Sequence, residues 1–127
     1  MSRRLTVCLL LVMAISAGAD DGDLPKARVV DTNLVRVPVQ TVAPSYPRIA
    51  RRDRVEGVVT VCFEIDRKGR PRRVAVRSST ARVFEKPSVK AVKASSFRAI
   101  EKGIPVPQIK SCRTFVYSLE PSSGGPS

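Results

Sequence analysis

From Glu56 to Asp66 the chain alternates cleanly. Val59, Val61, Phe63 and Ile65 fall on one side of an extended backbone, and Val58, Thr60, Cys62 and Glu64 on the other, which predicts a half-buried strand over 56–66. Asp66-Arg67-Lys68-Gly69 reads as a turn ending in glycine. Residues 70–79 return as a second strand, with Val74 and Val76 inward, Arg73, Ala75 and Arg77 outward, and Pro71 at a place that suits an edge strand. A third alternating run, residues 112–119, sets Phe115, Tyr117 and Leu119 against Thr114, Val116 and Ser118. Two stretches follow the helical period instead. Residues 83–97 place Val89, Val92 and Ser96 opposite Lys86, Lys90 and Lys93, with Pro87 in the first turn. A shorter helix starts at Tyr46-Pro47, with Ile49 and Ala50 followed by Arg51, Arg52 and Arg54, and Gly57 closing the segment. Residues 98–108 are a loop broken by Gly103, Pro105 and Pro107. The order helix, strand, strand, helix, strand, with helices covering one sheet face, is an α+β domain.

The pattern fades toward both ends. Residues 20–43 have no sustained helical period and read as an extended, partly disordered lead-in or linker, with a short strand around Val35–Val39. Residues 121–127, "PSSGGPS", read as a flexible tail, so the folded unit is expected at 44–120. Residues 1–19 are different again. Arg3 and Arg4 precede an apolar run from Leu5 to Ile15, and Ala17-Gly18-Ala19 is a small-residue cleavage site, the pattern of a secretory signal peptide. The alternative is a retained inner-membrane anchor, which needs about 17–25 apolar residues; Leu5 to Ala19 supplies 15, including Thr6, Ser16 and Gly18. Cys8 lies inside the apolar run and not at its end, which argues against lipid attachment. The expected location is the periplasm.

Composition narrows the function classes. The net charge of +12 suggests an anionic partner, but export points away from nucleic acid, and two tyrosines with no tryptophan supply no aromatic platform for it. There is no histidine, so acid–base catalysis near neutral pH lacks its usual agent. With no nucleophile elbow and no phosphate loop either, an enzyme is not expected. Beyond the leader, Cys62 and Cys112 form an even pair in an oxidising setting. By alternation both point away from the apolar face. If the third strand runs antiparallel beside the first, the sulfurs can meet, and closing a loop of about 50 residues stabilises by roughly 4 kcal/mol. Two free thiols or half of a metal site are the competing readings. No cofactor is expected.

The ordered set Tyr46-Pro47, Glu56-Gly57, Val59, Val61, Phe63, Gly69, Val74, Val76, Ser78, Phe97 and Tyr117-x-Leu119 resembles the C-terminal domain of the TonB family over residues 44–119. The resemblance implies a small three-stranded antiparallel sheet with two helices on one face. It also implies a role, gripping an extended segment of an outer-membrane receptor, or of another envelope protein, by adding it as a strand. Carried over position by position, the binding candidates are the backbone of Arg113, Thr114, Phe115, Val116, Tyr117, Ser118 and Leu119, and the region of Tyr46 and Pro47; packing under the first helix is an equal reading for Tyr46. One edge of this last strand would pair with the first strand, leaving the other for a partner or for a second copy of the chain. The sequence departs from the family at "SSFRA", where Ser95 and Ala99 stand in place of a frequent tryptophan and proline, and at Ser45, where glutamine often precedes Tyr-Pro. Full transducers of the family also carry an uncleaved anchor that engages an inner-membrane motor, and a long proline-rich spacer. Residues 20–43 span at most about 80 Å extended, which argues against force transduction. The rival function is a cationic envelope adaptor, in which Arg51, Arg52, Arg54, Arg67, Arg70, Arg72 and Arg73 hold anionic lipid or cell-wall polymer.

Overall fold

The structure, a computed structural model, describes residues 25–119; the stretches read above as a leader with its cleavage site and as a C-terminal tail lie outside the described residues. In chain order the elements are β1 (Arg28–Thr32), β2 (Pro38–Gln40), α1 (Arg48–Arg52), β3 (Gly57–Ile65), β4 (Pro71–Ser79), a 3-10 turn (Arg82–Phe84), α2 (Glu85–Ala94), β5 (Ser96–Phe97) and β6 (Ser111–Tyr117). The main sheet has four strands in the order β1-β6-β3-β4, every pair antiparallel, and β2 pairs with β5 in a small second sheet.

The alternation in β3 does what its period requires. Val59, Val61, Phe63 and Ile65 are buried together with Phe115 and Tyr117 of β6, and α2 closes over them with Ala91 and Val92. Burying each large apolar side chain stabilises by roughly 1.5–3 kcal/mol, so this face carries the fold. At one end Tyr46, Phe84 and Tyr117 form an aromatic cluster. Phe84 stacks on Tyr117 with centroids 4.1 Å apart, and Tyr46 meets both edge-on at 5.4 and 5.7 Å. Ser88 donates to the Phe84 carbonyl at 2.7 Å, so the Tyr117 hydroxyl is the donor in its own 2.7 Å bond to Ser88. Burial pushes the Tyr117 phenol pKa up.

The hairpin turn between β3 and β4 falls where the sequence places it. The Asp66 carboxylate accepts the Arg70 amide and Arg72 Nε, each at 2.9 Å. Burial alone would raise its pKa, but these bonds win and hold it below the usual carboxylate value. Gly69 sits at φ +87°, and its carbonyl accepts the Phe97 amide at 2.9 Å, docking the hairpin tip on β5. A Cβ here would lie 1.8 Å from the Phe97 carbonyl oxygen, and the left-handed backbone adds its own penalty. Gly69→Ala is therefore expected to destabilise by about 2–3 kcal/mol, read as a lowered urea midpoint at unchanged slope.

Four expectations change. The main sheet has four strands and not three, because Arg28–Thr32, inside the stretch expected to be a lead-in, joins it as β1. A strand does form near Val35–Val39, but at Pro38–Gln40, where β5 gives it a partner. The second helix starts later and ends earlier than 83–97. Its first turn tightens to 3-10 geometry, Pro87 is its third residue, and Ser96 passes into β5. In the first helix Pro47 is the N-cap, and only Ala50 turns inward, with Ile49 52% exposed.

Candidate functional site: the last strand and the strand that covers its edge

β6 has a neighbour on each side. On one side it pairs with β3, from Gly57↔Tyr117 to Phe63↔Ser111. Cys62 and Cys112 are directly opposite in that ladder, 4.1 Å apart at Cα, and joined by a disulfide. Both lie on the sheet face away from the core cluster, as alternation requires. On the other side β1 pairs with β6 from Arg28↔Val116 to Thr32↔Cys112. The edge expected to be left free is thus occupied by the chain itself. The periodicity could not show this, because "RVVDT" is too short to alternate convincingly and half of it faces solvent.

The candidate residues divide accordingly. Arg113, Thr114, Phe115 and Val116 are held by β1 on one side and β3 on the other. Tyr117 pairs with Gly57 of β3 and lies beyond the β1 ladder, while Ser118 and Leu119 follow the end of the strand. The Tyr46 ring is buried in the aromatic cluster and its hydroxyl donates to the Val55 carbonyl, which accounts for the residue as packing; burial also raises the phenol pKa. Pro47 remains half-buried at the start of α1.

The side chain of Arg113 is the unexpected feature. Its position has the same parity as Phe115 and Tyr117, so it points into the core side, and it is 0% exposed. Its Nε and Nη2 form a fork on the two Asp31 oxygens of β1, at 2.5 and 3.0 Å. Nη1 donates to Ser95 Oγ at 3.2 Å, and the guanidinium lies 5.5 Å from the Phe97 ring centroid. Ser95 Oγ also accepts the Val42 amide and donates to the Ala91 carbonyl. The small residue at 95 thus holds the guanidinium by a hydrogen bond at a place where the resemblance leads one to expect a tryptophan. Among the described residues Asp31 is the only carboxylate bonded to Arg113, and its side chain is 26% exposed. β1 is fixed further by the Lys26↔Ser45 bridge and by Ser111 Oγ, which donates to the Asn33 carbonyl at 3.2 Å.

The two remaining sheet edges differ. The outer edge of β4 carries Pro71, irregular register and Arg73 at φ 51°, devices that blunt strand addition. The outer edge of β1 is a plain run of five residues. The seven arginines of the adaptor reading do not form one patch. Arg51, Arg52 and Arg54 stand before β3 and the other four after it, roughly 25–30 Å away along a nine-residue strand. Several are engaged locally, Arg72 with Asp66, Arg52 with Asp53, and Arg67 with the carbonyls of Glu101 and Ile104.

With this arrangement in view, comparison with known proteins is direct. A family model described as the Gram-negative bacterial TonB protein C-terminal matches residues 42–119. The chain belongs to the TonB C-terminal domain family. A solution NMR structure of the Pseudomonas aeruginosa TonB CTD is similar to it, with a TM-score of 0.55 at 26% identity, over 66% of this chain and 86% of that one. No curated protein sequence matches. TonB C-terminal domains are binding domains of the cell envelope and not enzymes. β1 lies upstream of the residues that the TonB family model matches. Among the described residues no helix is long and apolar enough to cross a membrane.

Proposed function

We propose that this chain is a periplasmic TonB-like module that recognises an extended segment of an outer-membrane receptor, or of another envelope protein, by strand addition at β6. The observation that carries the reading is the β1–β6 ladder. The outer edge of β6 accepts an extended strand along Cys112–Val116, and the strand it accepts here comes from outside the family-matched region. Main-chain hydrogen bonds supply affinity in such a mode whatever the side chains. The disulfide suits an oxidising compartment, in keeping with the leader.

The test is titration of isotope-labelled protein with peptides from the periplasmic N-terminal segments of the host's outer-membrane receptors, at low and at physiological salt. Saturable binding, little changed by salt and with the largest amide shifts along β6 and β1, is the expected result. Binding only to anionic vesicles, with affinity falling steeply as salt rises, would favour the adaptor instead.

A further inference from the structure

We propose that β1 is a built-in stand-in for the partner strand, and that Arg113 selects partners presenting a carboxylate at the position Asp31 now fills. This deepens the strand-addition reading and rests on it. Removing β1 opens the edge of β6, and it also removes the only carboxylate, among the described residues, that is bonded to the fully buried Arg113 guanidinium. A buried cation stripped of its partner is costly, so a replacement strand that offered only main-chain bonds would leave that cost in place. A strand bringing its own Asp or Glu would cancel it. The fork geometry on Asp31 makes the preference one for a planar carboxylate and not merely for an acceptor.

The faces of β1 extend the pattern by one position. Asp31 stands opposite Arg113 and Val29 opposite Phe115, both on the core side, and Val29 packs partly buried against the core. Arg28 and Thr32 point the other way and are exposed. The inferred partner is therefore an extended segment with an acidic residue two positions from an aliphatic one, the carboxylate over Arg113 and the aliphatic group over Phe115. Because side chains repeat every two residues, the spacing is the same whichever way the segment runs. The same contacts set a threshold, since β1 is tethered and competes from within the chain at high effective concentration.

The test uses the full-length secreted chain and a labelled peptide of its own sequence, Lys26 to Leu34, alongside the same peptide with its aspartate changed to asparagine. Asp31→Asn in the protein weakens the internal competitor, so this variant is expected to bind the acidic peptide at least about tenfold more tightly than the unmodified chain does. The asparagine peptide is expected to bind the variant about tenfold more weakly than the acidic one, and Arg113→Met should abolish that discrimination. The peptide comparison needs no change at Arg113, so it stands even if Arg113→Met fails to fold. Equal binding of the two peptides would overturn the carboxylate preference and leave strand addition intact. If receptor segments bind but shift only the outer edge of β1, the stand-in role and strand addition at β6 both fail, and only recognition of receptor segments survives. If neither receptor segments nor the β1 peptide bind any form, strand addition itself is wrong and this inference falls with it.

Discussion

Reduction of the Cys62–Cys112 bridge is expected to lower the free energy of unfolding by about 4 kcal/mol, the chain-entropy value for a loop of this length. The cysteines are separated by 50 residues that include β4, α2 and β5, so the bridge removes much of the freedom of the unfolded chain. For a domain near 100 residues a loss of this size lowers the melting temperature by roughly 15–30 °C. The sulfurs lie on the sheet face opposite the core, so the cost should come from loop closure and not from a cavity. Two measurements separate these causes. Thermal unfolding with and without reductant gives the loop effect, and Cys62→Ala with Cys112→Ala adds any packing loss. The double variant and the reduced protein should melt within a few degrees of each other. A loss under about 1 kcal/mol on reduction would mean that β3 and β6 already associate in the denatured chain.

How much could be read in advance follows from the physics of each element. β3, β4 and β6 were legible because one buried face and one exposed face force a period of two, and that period survives in residues such as Val59, Val61 and Phe63. The disulfide was legible in part, since parity puts Cys62 and Cys112 on the same sheet face, while their meeting depended on β6 lying antiparallel beside β3. β1 was not legible. Its five residues lie at a sheet edge, where only Val29 and Asp31 face inward, and its pairing with β6 is a contact more than 80 residues away in sequence. Arg113 was half-legible. Its parity with Phe115 and Tyr117 is visible in the sequence, but with β1 unrecognised nothing in the sequence marks a carboxylate to receive an inward guanidinium, and only its backbone stands out as a binding candidate. Tyr46 shows the reverse case, a residue whose family role suggested contact and whose burial shows packing.

Truncation of Asp31 should hurt more than truncation of the residue it pairs with. Asp31→Ala leaves a guanidinium with 0% exposure facing Ser95 Oγ and an aromatic ring but no anion, and stranding a buried charge costs about 3–5 kcal/mol. Arg113→Met removes the charge itself and fills much of the same volume with apolar atoms, so its loss should be smaller, on the order of 1–2 kcal/mol. The combined variant Asp31→Ala with Arg113→Met should then resemble Arg113→Met alone, a coupling that denaturant melts of the three proteins measure directly. There is a ceiling on the first number. Once the penalty exceeds the free energy that docks β1, the strand detaches and water reaches the guanidinium, so the observed loss stops there. Exchange of the β1 amides that face β6 distinguishes the two regimes. Retained protection with a loss of several kcal/mol means that β1 holds despite the stranded charge. Lost protection with a smaller loss means that β1 is the loosest strand of the sheet and its docking energy has been read off. A loss below about 1 kcal/mol with protection unchanged would show that Arg113 needs no carboxylate, and a partner strand would then have no reason to carry one.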